Sequence, residues 1–307
     1  MNTRHAQIVL TIVRFGSITA AAKALYITQP TLSQTLKQIE TQLGEPIFER
    51  GRAPLELTPA GELYVQAARR IVQIETQLDE AIAALHGRQE GTLRLGMTAG
   101  RSCELLPQIL PDYQCAYPEV RLEVYEGSAS MLEQKLSSHE IDIAFFCGDT
   151  RRQDFTYRMI GSEEVVLIAG RRTAIAQRIP SGSTITLAEA ASERFIQPTI
   201  NHATRRLFDE LLERHNINPM HNALTLDSLE AAKRVCAASQ MVTLCPFISL
   251  LSDTQSMQRL AHYHLAGDAY ATKFCLAHPA DTPLAPYAEA FYNLLSNRYR
   301  SMCAYRA

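Results

Sequence analysis

"GSITAAAKALYITQPTLSQTLKQIETQLG", Gly16 to Gly44, sets two helix patterns back to back around a polar elbow. Ser17 is a suitable N-cap for a first helix that opens Ile18, Thr19, Ala20. The alanines at 20, 21, 22 and 24 add high helix propensity with little bulk, which lets another helix approach closely. Tyr26 and Ile27 interrupt that run, Thr28 can cap again, and Pro30 falls in the first turn of the next helix, where its missing N–H is no loss. On this second helix Leu32, Leu36, Ile39 and Leu43 form one apolar stripe at about 100° per residue. Pro30, Gln34, Lys37, Gln38 and Thr41 lie opposite, with Thr31 and Ser33 flanking them near the N-terminal end. An ordinary helical hairpin with a solvated polar face would carry the same stripe. Short hydroxyls and amides at the start of a helix, however, are the groups that read base edges in a major groove, where the first N–H groups also hold phosphate.

The next residues favour the second reading. Gly44 ends the helix, and "PIFERGRAPLELT" reads as two short strands, Ile47 to Glu49 and Leu55 to Leu57, around a turn at 51–54 with Arg50 and Arg52 at its tip. A basic turn beside such a helix reaches phosphates or a narrow minor groove, so the segment is expected to be a winged helix-turn-helix.

Length and composition allow more than this head. The chain has 307 residues and 46% hydrophobic content, enough for at least two domains with cores of their own. Residues 1–58 hold six Lys/Arg against four Glu, 59–90 three against five, and 91–307 hold 21 against 23, so only the first segment leans basic. That electrostatic hint of nucleic acid is faint, and the weight falls on pattern. The seven cysteines are odd in number and never form a CxxC pair, as expected of reduced thiols in the cytoplasm. No run is long and apolar enough for a membrane helix, so no membrane partner is expected.

Taken together, "FGSITAAAKALYITQPTLSQTLKQIETQLGEPIFERGRAPLELTPAGE" resembles the amino-terminal signature of the LysR-type transcriptional regulators. The resemblance implies Thr31, Ser33, Gln34 and Lys37 as DNA contacts, Gln29 and Pro30 as shaping the helix entry, and Arg52 on the wing beside Arg50. Ser17, Ala21, Ala22 and Leu25 become scaffold. It further implies double-stranded DNA with an interrupted inverted repeat as target, a homodimer or homotetramer, RNA polymerase as a further partner, and no cofactor beyond a small-molecule effector. The fold implied is a mainly α winged helix-turn-helix at 1–58, a linker helix at 59–90, and an α/β two-lobed effector domain like the periplasmic binding proteins. Its first lobe would comprise 91–161 and 268–300, its second 162–267.

From Thr58, a cap, and Pro59, a helical pattern runs to His86. Tyr64, Ala67, Ile71, Ile74, Leu78, Ala81 and Leu85 alternate steps of three and four as a heptad seam. The seam is expected to pair two copies, although such a helix can also pack on its own C-terminal domain.

The remaining two thirds alternate strands with helices, which predicts a parallel or mixed sheet covered by helices. "GTLRLGM", "VRLEVYEG", "IDIAFF", "EEVVLIAG", "RFIQPT", "NALTL" and "MVTLCP" read as strands. Helices are expected from Thr98–Arg101 to Leu110, at Ser128–Leu136, at Ala203–His215 and at Asp227–Ala238. Open α/β sheets bind ligands beyond the carboxyl ends of their strands, at helix N-termini that favour anions. That rule selects Thr98, Arg101, Ser102, Ser128 and Ser130 in one lobe, and Thr199, Asn201, His202, Asp227 and Ser228 in the other, around an anionic effector. Each Ser or Thr among them is also good capping chemistry. Before the proline of "AASQMVTLCP", Ser239, Gln240 and Met241 replace the glycine-bearing turn usual in the family.

Rival functions have less support. Ser128 in "EGSAS" has no GxSxG frame and no HExxH or GxGxxG occurs, so no catalytic constellation argues for an enzyme. His262 and His264 lack an evident third metal ligand. A solute-binding module would have no use for a DNA-reading head. A redox-responsive regulator using Cys236 and Cys245 is a further alternative, set against their placement late in a helix and inside an apolar strand.

Overall fold

Three capped helices build the amino-terminal unit. Helix α1 (Thr3–Phe15) begins at Asn2, whose side chain accepts from His5 N at 2.8 Å, and ends at Gly16. Helix α2 (Ile18–Ala24) is capped by Ser17, and α3 (Gln29–Leu43) by Thr28 with Pro30 in its first turn and Gly44, at φ 83°, closing it. Their inward residues, among them Val9, Ile12, Ala21, Ala22, Leu32, Leu36 and Ile39, share one core with Ile47 and Phe48. Leu43, expected at the end of the buried stripe, is instead 42% exposed, because α3 outruns the small core it packs on. Among the described residues the expected strand pair of the wing appears as one antiparallel bridge, Phe48 to Leu57, with Glu49 N donating to Glu56 O.

The computed structural model describes residues 2–49, 54–86, 89–148, 152–199, 203–214, 222–251, 258–267 and 271–304, so Arg50, Arg52, Asn201 and His202 lie outside the described residues. It divides into two compact units, Met1–Gly91 with Lys135–Glu140, and Thr92–Gln134 with Ile141–Ala307.

Helix α4 (Pro59–Leu85) starts from Thr58, whose hydroxyl donates to Pro46 O at 2.6 Å and accepts from Gly61 N at 2.9 Å. Gly61 sits so close to the preceding segment that a Cβ there would stand 2.0 Å from Ile47 O. The first turns of α4 belong to the head: Tyr64, Val65 and Ala68 are buried in its core. Tyr64 is therefore not part of a free seam. Beyond it Ala67 and Ile71 are half-buried, while Ile74, Leu78, Ala81 and Leu85 are exposed. At ~1.5 Å per residue this helix is roughly 40 Å long.

The second unit carries a mixed sheet whose strands run β2-β1-β3-β10-β4-β8-β6-β7, with β9 joining β4 to β5. Strands β1 (Gly91–Met97) and β3 (Ile143–Cys147) are parallel, with β2 (Val120–Glu126) beside them and helices α5 (Ala99–Ala116) and α6 (Ala129–Ser137) as crossovers. Helix α5 runs past the expected end at Leu110 despite Pro107 and Pro111. Both prolines are exposed and four residues apart, so the carbonyls they leave unbonded face water on one side of the helix.

Strand β4 (Phe155–Gly170) is twice the length expected from "EEVVLIAG". Its first part pairs with β10 (Ala271–Pro279), and its last residues pair with β8 (Met241–Pro246) and β9 (Leu260–Leu265). It thus runs from one lobe into the other. The first lobe packs Leu93, Leu95, Ile109, Tyr113 and Phe145 against α11 (Pro286–Ala304). In the second, β5 (Thr184–Ile185), β6 (Arg194–Pro198) and β7 (Asn222–Leu226) complete the sheet. Helices α7 (Ala174–Arg178), α8 (Ala203–Arg214), α9 (Leu229–Ala238) and α10 (Ile248–Leu251) accompany them. The turn at Ser239 is extended, φ −132°, and its closeness to β4 is accommodated from the opposite side by Gly170, where a Cβ would lie 2.3 Å from Ser239 O.

Candidate functional site

On α3 the polar row stands clear of the core. Gln29, Pro30, Thr31, Gln34 and Lys37 are exposed and Ser33 is half-buried. The first turn is tied together before any ligand arrives: Thr28 Oγ1 lies 2.8 Å from Thr31 Oγ1, and Gln29 Nε2 donates to Ser33 Oγ at 3.1 Å. Gln34 and Lys37, one turn on, have no such side-chain ties among the described residues and lie on the same face as Thr41. The arrangement offers a fixed amide, a cation and short hydroxyls to a groove, held by a helix that is rigid at both caps.

In the second unit the strand ends gather most of the expected effector residues. Thr98 is the N-cap of α5 and makes no side-chain cap bond; its carbonyl takes the Arg101 and Ser102 N–H groups, which leaves the N–H groups of Ala99 and Gly100 at the open end of the helix. Ser102 is buried and hydrogen-bonds to Glu126, the last residue of β2, and to Ala99 O. Ser128 and Ser130 lie 3.1 Å apart, oxygen to oxygen, and Ser128 also caps α6 through Met131 N. Across the sheet Thr199 donates to Asp227 at 2.6 Å, and Ser228 caps α9 through Ala231 N.

Arg101 departs from the expectation of a ligand contact. Its guanidinium is buried, 4% exposed, where it bonds Glu104 at 2.6 Å and Glu163 on β4, and lies 4.4 Å from the Phe274 ring. Tyr299 O–H donates to the other oxygen of Glu163 at 2.9 Å. Burial works against the charge on Arg101, but Glu163 and Glu104 more than restore it and hold its pKa above the ordinary value. Burial pushes the Glu163 carboxyl up to about 7 against the pull of Arg101, and the neighbouring Glu104 charge adds to the rise. One guanidinium serves two buried carboxylates, so one of them is readily protonated. Lys233 is likewise buried and engaged, donating to Ser249 O at 2.9 Å and pairing with Glu230. The signal missed in the sequence was the pair Glu163-Glu164 at the head of an apolar strand, where carboxylates need a buried partner.

Comparison with known proteins decides the family. Residues 3–62 match the bacterial regulatory helix-turn-helix protein, lysR family, and residues 86–300 match the LysR substrate binding domain. The chain belongs to the LysR family of transcriptional regulators. The HTH-type transcriptional regulator CfxR of Cupriavidus necator is 26% identical over 290 residues, covering 94% of this chain and 89% of that one. The uncharacterized regulator YybE of Bacillus subtilis is 29% identical over 209 residues, 68% of this chain and 70% of its own. Among solved structures, a full-length OxyR variant from Pseudomonas aeruginosa superposes with TM-score 0.75 at 20% identity, covering 98% of each chain. Full-length CbnR complexed with its target DNA gives 0.67 at 20%, over 97% of this chain and 99% of that one.

In this LysR regulator the cysteines of the redox alternative are sealed. Cys236 and Cys245 are fully buried, and burial pushes both thiols up to about 12. Thiols that keep their protons react poorly with peroxides. His264 pairs with Glu164 at 2.9 Å and His262 lies 3.2 Å from Ser181 Oγ. Among the described residues no group of three or more His, Cys, Asp or Glu is arranged to hold a metal ion, and no helix is long and apolar enough to cross a membrane.

Proposed function

We propose that this LysR regulator reads an interrupted inverted repeat in double-stranded DNA as a homodimer or homotetramer joined along α4, and that a small-molecule effector between the two lobes sets its activity. It acts by binding rather than catalysis, in the cytoplasm, and hands its signal to RNA polymerase. The observation that carries this reading is the division of labour on α3: Leu32, Leu36 and Ile39 are buried while Gln29, Pro30, Thr31, Gln34 and Lys37 are exposed along the other side. The exposed Ile74, Leu78, Ala81 and Leu85 support pairing of copies, since a helix leaves such a row open only for a partner.

For the effector, the open Thr98 hydroxyl and the uncapped first turn of α5 support an acidic group on the ligand. We assign Ser102, Ser128, Ser130, Thr199, Asp227 and Ser228 as further polar contacts, and Glu126, bonded to Ser102, favours a ligand that also carries a hydroxyl or amine donor. Arg101 is left out, being committed to Glu104 and Glu163.

The test is thermal melting of the full-length protein against a panel of small carboxylates, aromatic acids and amino acids. A ligand at ~100 times its Kd adds about 2.7 kcal/mol to the unit it binds. The reading expects a hit whose shift disappears in Thr98→Ala. A hit that persists in Thr98→Ala moves the site elsewhere, and a DTT-reversible change in DNA binding with no hit would favour redox control instead.

A further inference from the structure

Tyr26 occupies the elbow between α2 and α3 in a way the fold does not require. Its φ is 56°, in the left-handed region. The elbow is closed by Leu25 N to Ala21 O at 2.9 Å and Ile27 N to Ala22 O at 3.0 Å, a helix ending that ordinarily places glycine or asparagine at the left-handed position. On either side Leu25 and Ile27 pack against the core of the head. The ring of Tyr26 is 96% exposed, and among the described residues its phenol has no hydrogen-bond or ring partner. A bulky aromatic held in left-handed backbone with nothing to pack on is a cost to folding without a structural return, and such residues cluster at functional sites.

We propose that Tyr26 is a DNA contact whose phenol O–H donates to a backbone phosphate at the rim of the major groove entered by α3. The inference rests on the DNA-reading role of α3. In helix-turn-helix docking the start of the second helix meets base edges while the first helix crosses the sugar–phosphate backbone, so the elbow between them lies over a phosphate strand. Tyr26 stands two residues before the cap Thr28 and three before Gln29, at that elbow. A tyrosine hydroxyl is a good phosphate donor, and being neutral it releases no counterion.

The experiment measures binding of full-length protein by fluorescence anisotropy, across a salt series, on two duplexes: one of random sequence and one selected from a random pool by the wild-type protein. Tyr26→Phe is expected to weaken both about tenfold or more, the worth of one hydrogen bond to a charged acceptor, with the slope against log salt unchanged because the tyrosine itself carries no charge. Tyr26→Gly is expected to lose at least as much while melting at or above the wild-type temperature, because glycine adopts the left-handed backbone freely. Lys37→Ala runs alongside and should lower both affinities and flatten the salt slope. Wild-type affinity of Tyr26→Phe with Lys37→Ala impaired overturns this proposal alone. A loss confined to the selected duplex, or a Tm for Tyr26→Gly below wild type, overturns it as well. Wild-type binding by Lys37→Ala too would instead remove the DNA-reading role on which the proposal stands.

Discussion

Replacing Arg101 by methionine removes the guanidinium and keeps an unbranched side chain in its place. In the native protein Arg101, Glu104 and Glu163 are each 4% exposed, and the one cation bonds both carboxylates. Breaking a buried ion pair from one side costs ~3–5 kcal/mol, because the charge left behind is out of water with nothing to replace its partner. In a unit of this size each kcal/mol lowers Tm by ~2–4 °C, so scanning calorimetry of the full-length protein should show a fall of roughly 6–20 °C. The loss should also depend on pH in a definite sense. Glu163 has a folded-state pKa raised to about 7, above its unfolded value, so its contribution is complete below the unfolded pKa and is lost as pH rises through the folded one. Without Arg101 the folded-state pKa climbs further. At about pH 5 the Glu163 carboxyl is neutral in both proteins and the variant lacks mainly the partner of Glu104, so the deficit is smaller, whereas at about pH 8 it must also keep the buried Glu163 carboxyl protonated or unpaired. Glu163→Gln, which leaves Arg101 its bond to Glu104, should cost less than Arg101→Met. A deficit below ~1 kcal/mol, the worth of an exposed pair, or one equal at the two pH values would refute the buried network.

Other perturbations test the remaining parts. Gly61→Ala should lower the stability of the head by ~1–3 kcal/mol, because a Cβ would stand 2.0 Å from Ile47 O. Helix propensity alone predicts a gain of ~1 kcal/mol, so the sign of the change in chemical denaturation decides. Leu78→Glu, at a position 59% exposed, should leave the monomer fold intact and shift sedimentation toward smaller species; unchanged assembly would place the interface elsewhere. Gln34→Ala should weaken the selected duplex by ~1–3 kcal/mol and random duplex little, and equal losses on both would deny it a base-reading role. Iodoacetamide on the native protein should label exposed Cys103 and Cys115 and spare Cys236 and Cys245, whose thiols are pushed up to about 12. Rapid native labelling of Cys236 would revive redox control.

The sequence by itself determined the head and the order of elements. Ser17, Thr28, Pro30, Gly44 and Thr58 mark helix ends through short-range hydrogen bonds and backbone preferences, and the stripe Leu32, Leu36, Ile39 follows from helix periodicity. Local rules of that kind survive in any fold that keeps the helices. They also located the strand ends from which Thr98, Ser102, Ser128 and Ser130 project, since a strand and its following helix are neighbours in the chain.

Tertiary structure decided everything that depends on a distant partner. Tyr64 and Leu43 fit their helical stripes equally well, yet the reach of the small core buries one and leaves the other exposed. The length of β4 was hidden because its first part gains its strand partner from β10, more than a hundred residues later. Arg101 illustrates the point most sharply. By position in the chain it follows a strand end, where a ligand contact is expected, but Glu163 arrives on β4 and Glu104 from its own helix, and in a buried place a cation is held by whatever carboxylates pack beside it. Periodicity fixes which way a side chain leaves its own element, and the choice between ligand, solvent and buried partner belongs to the element that packs against it.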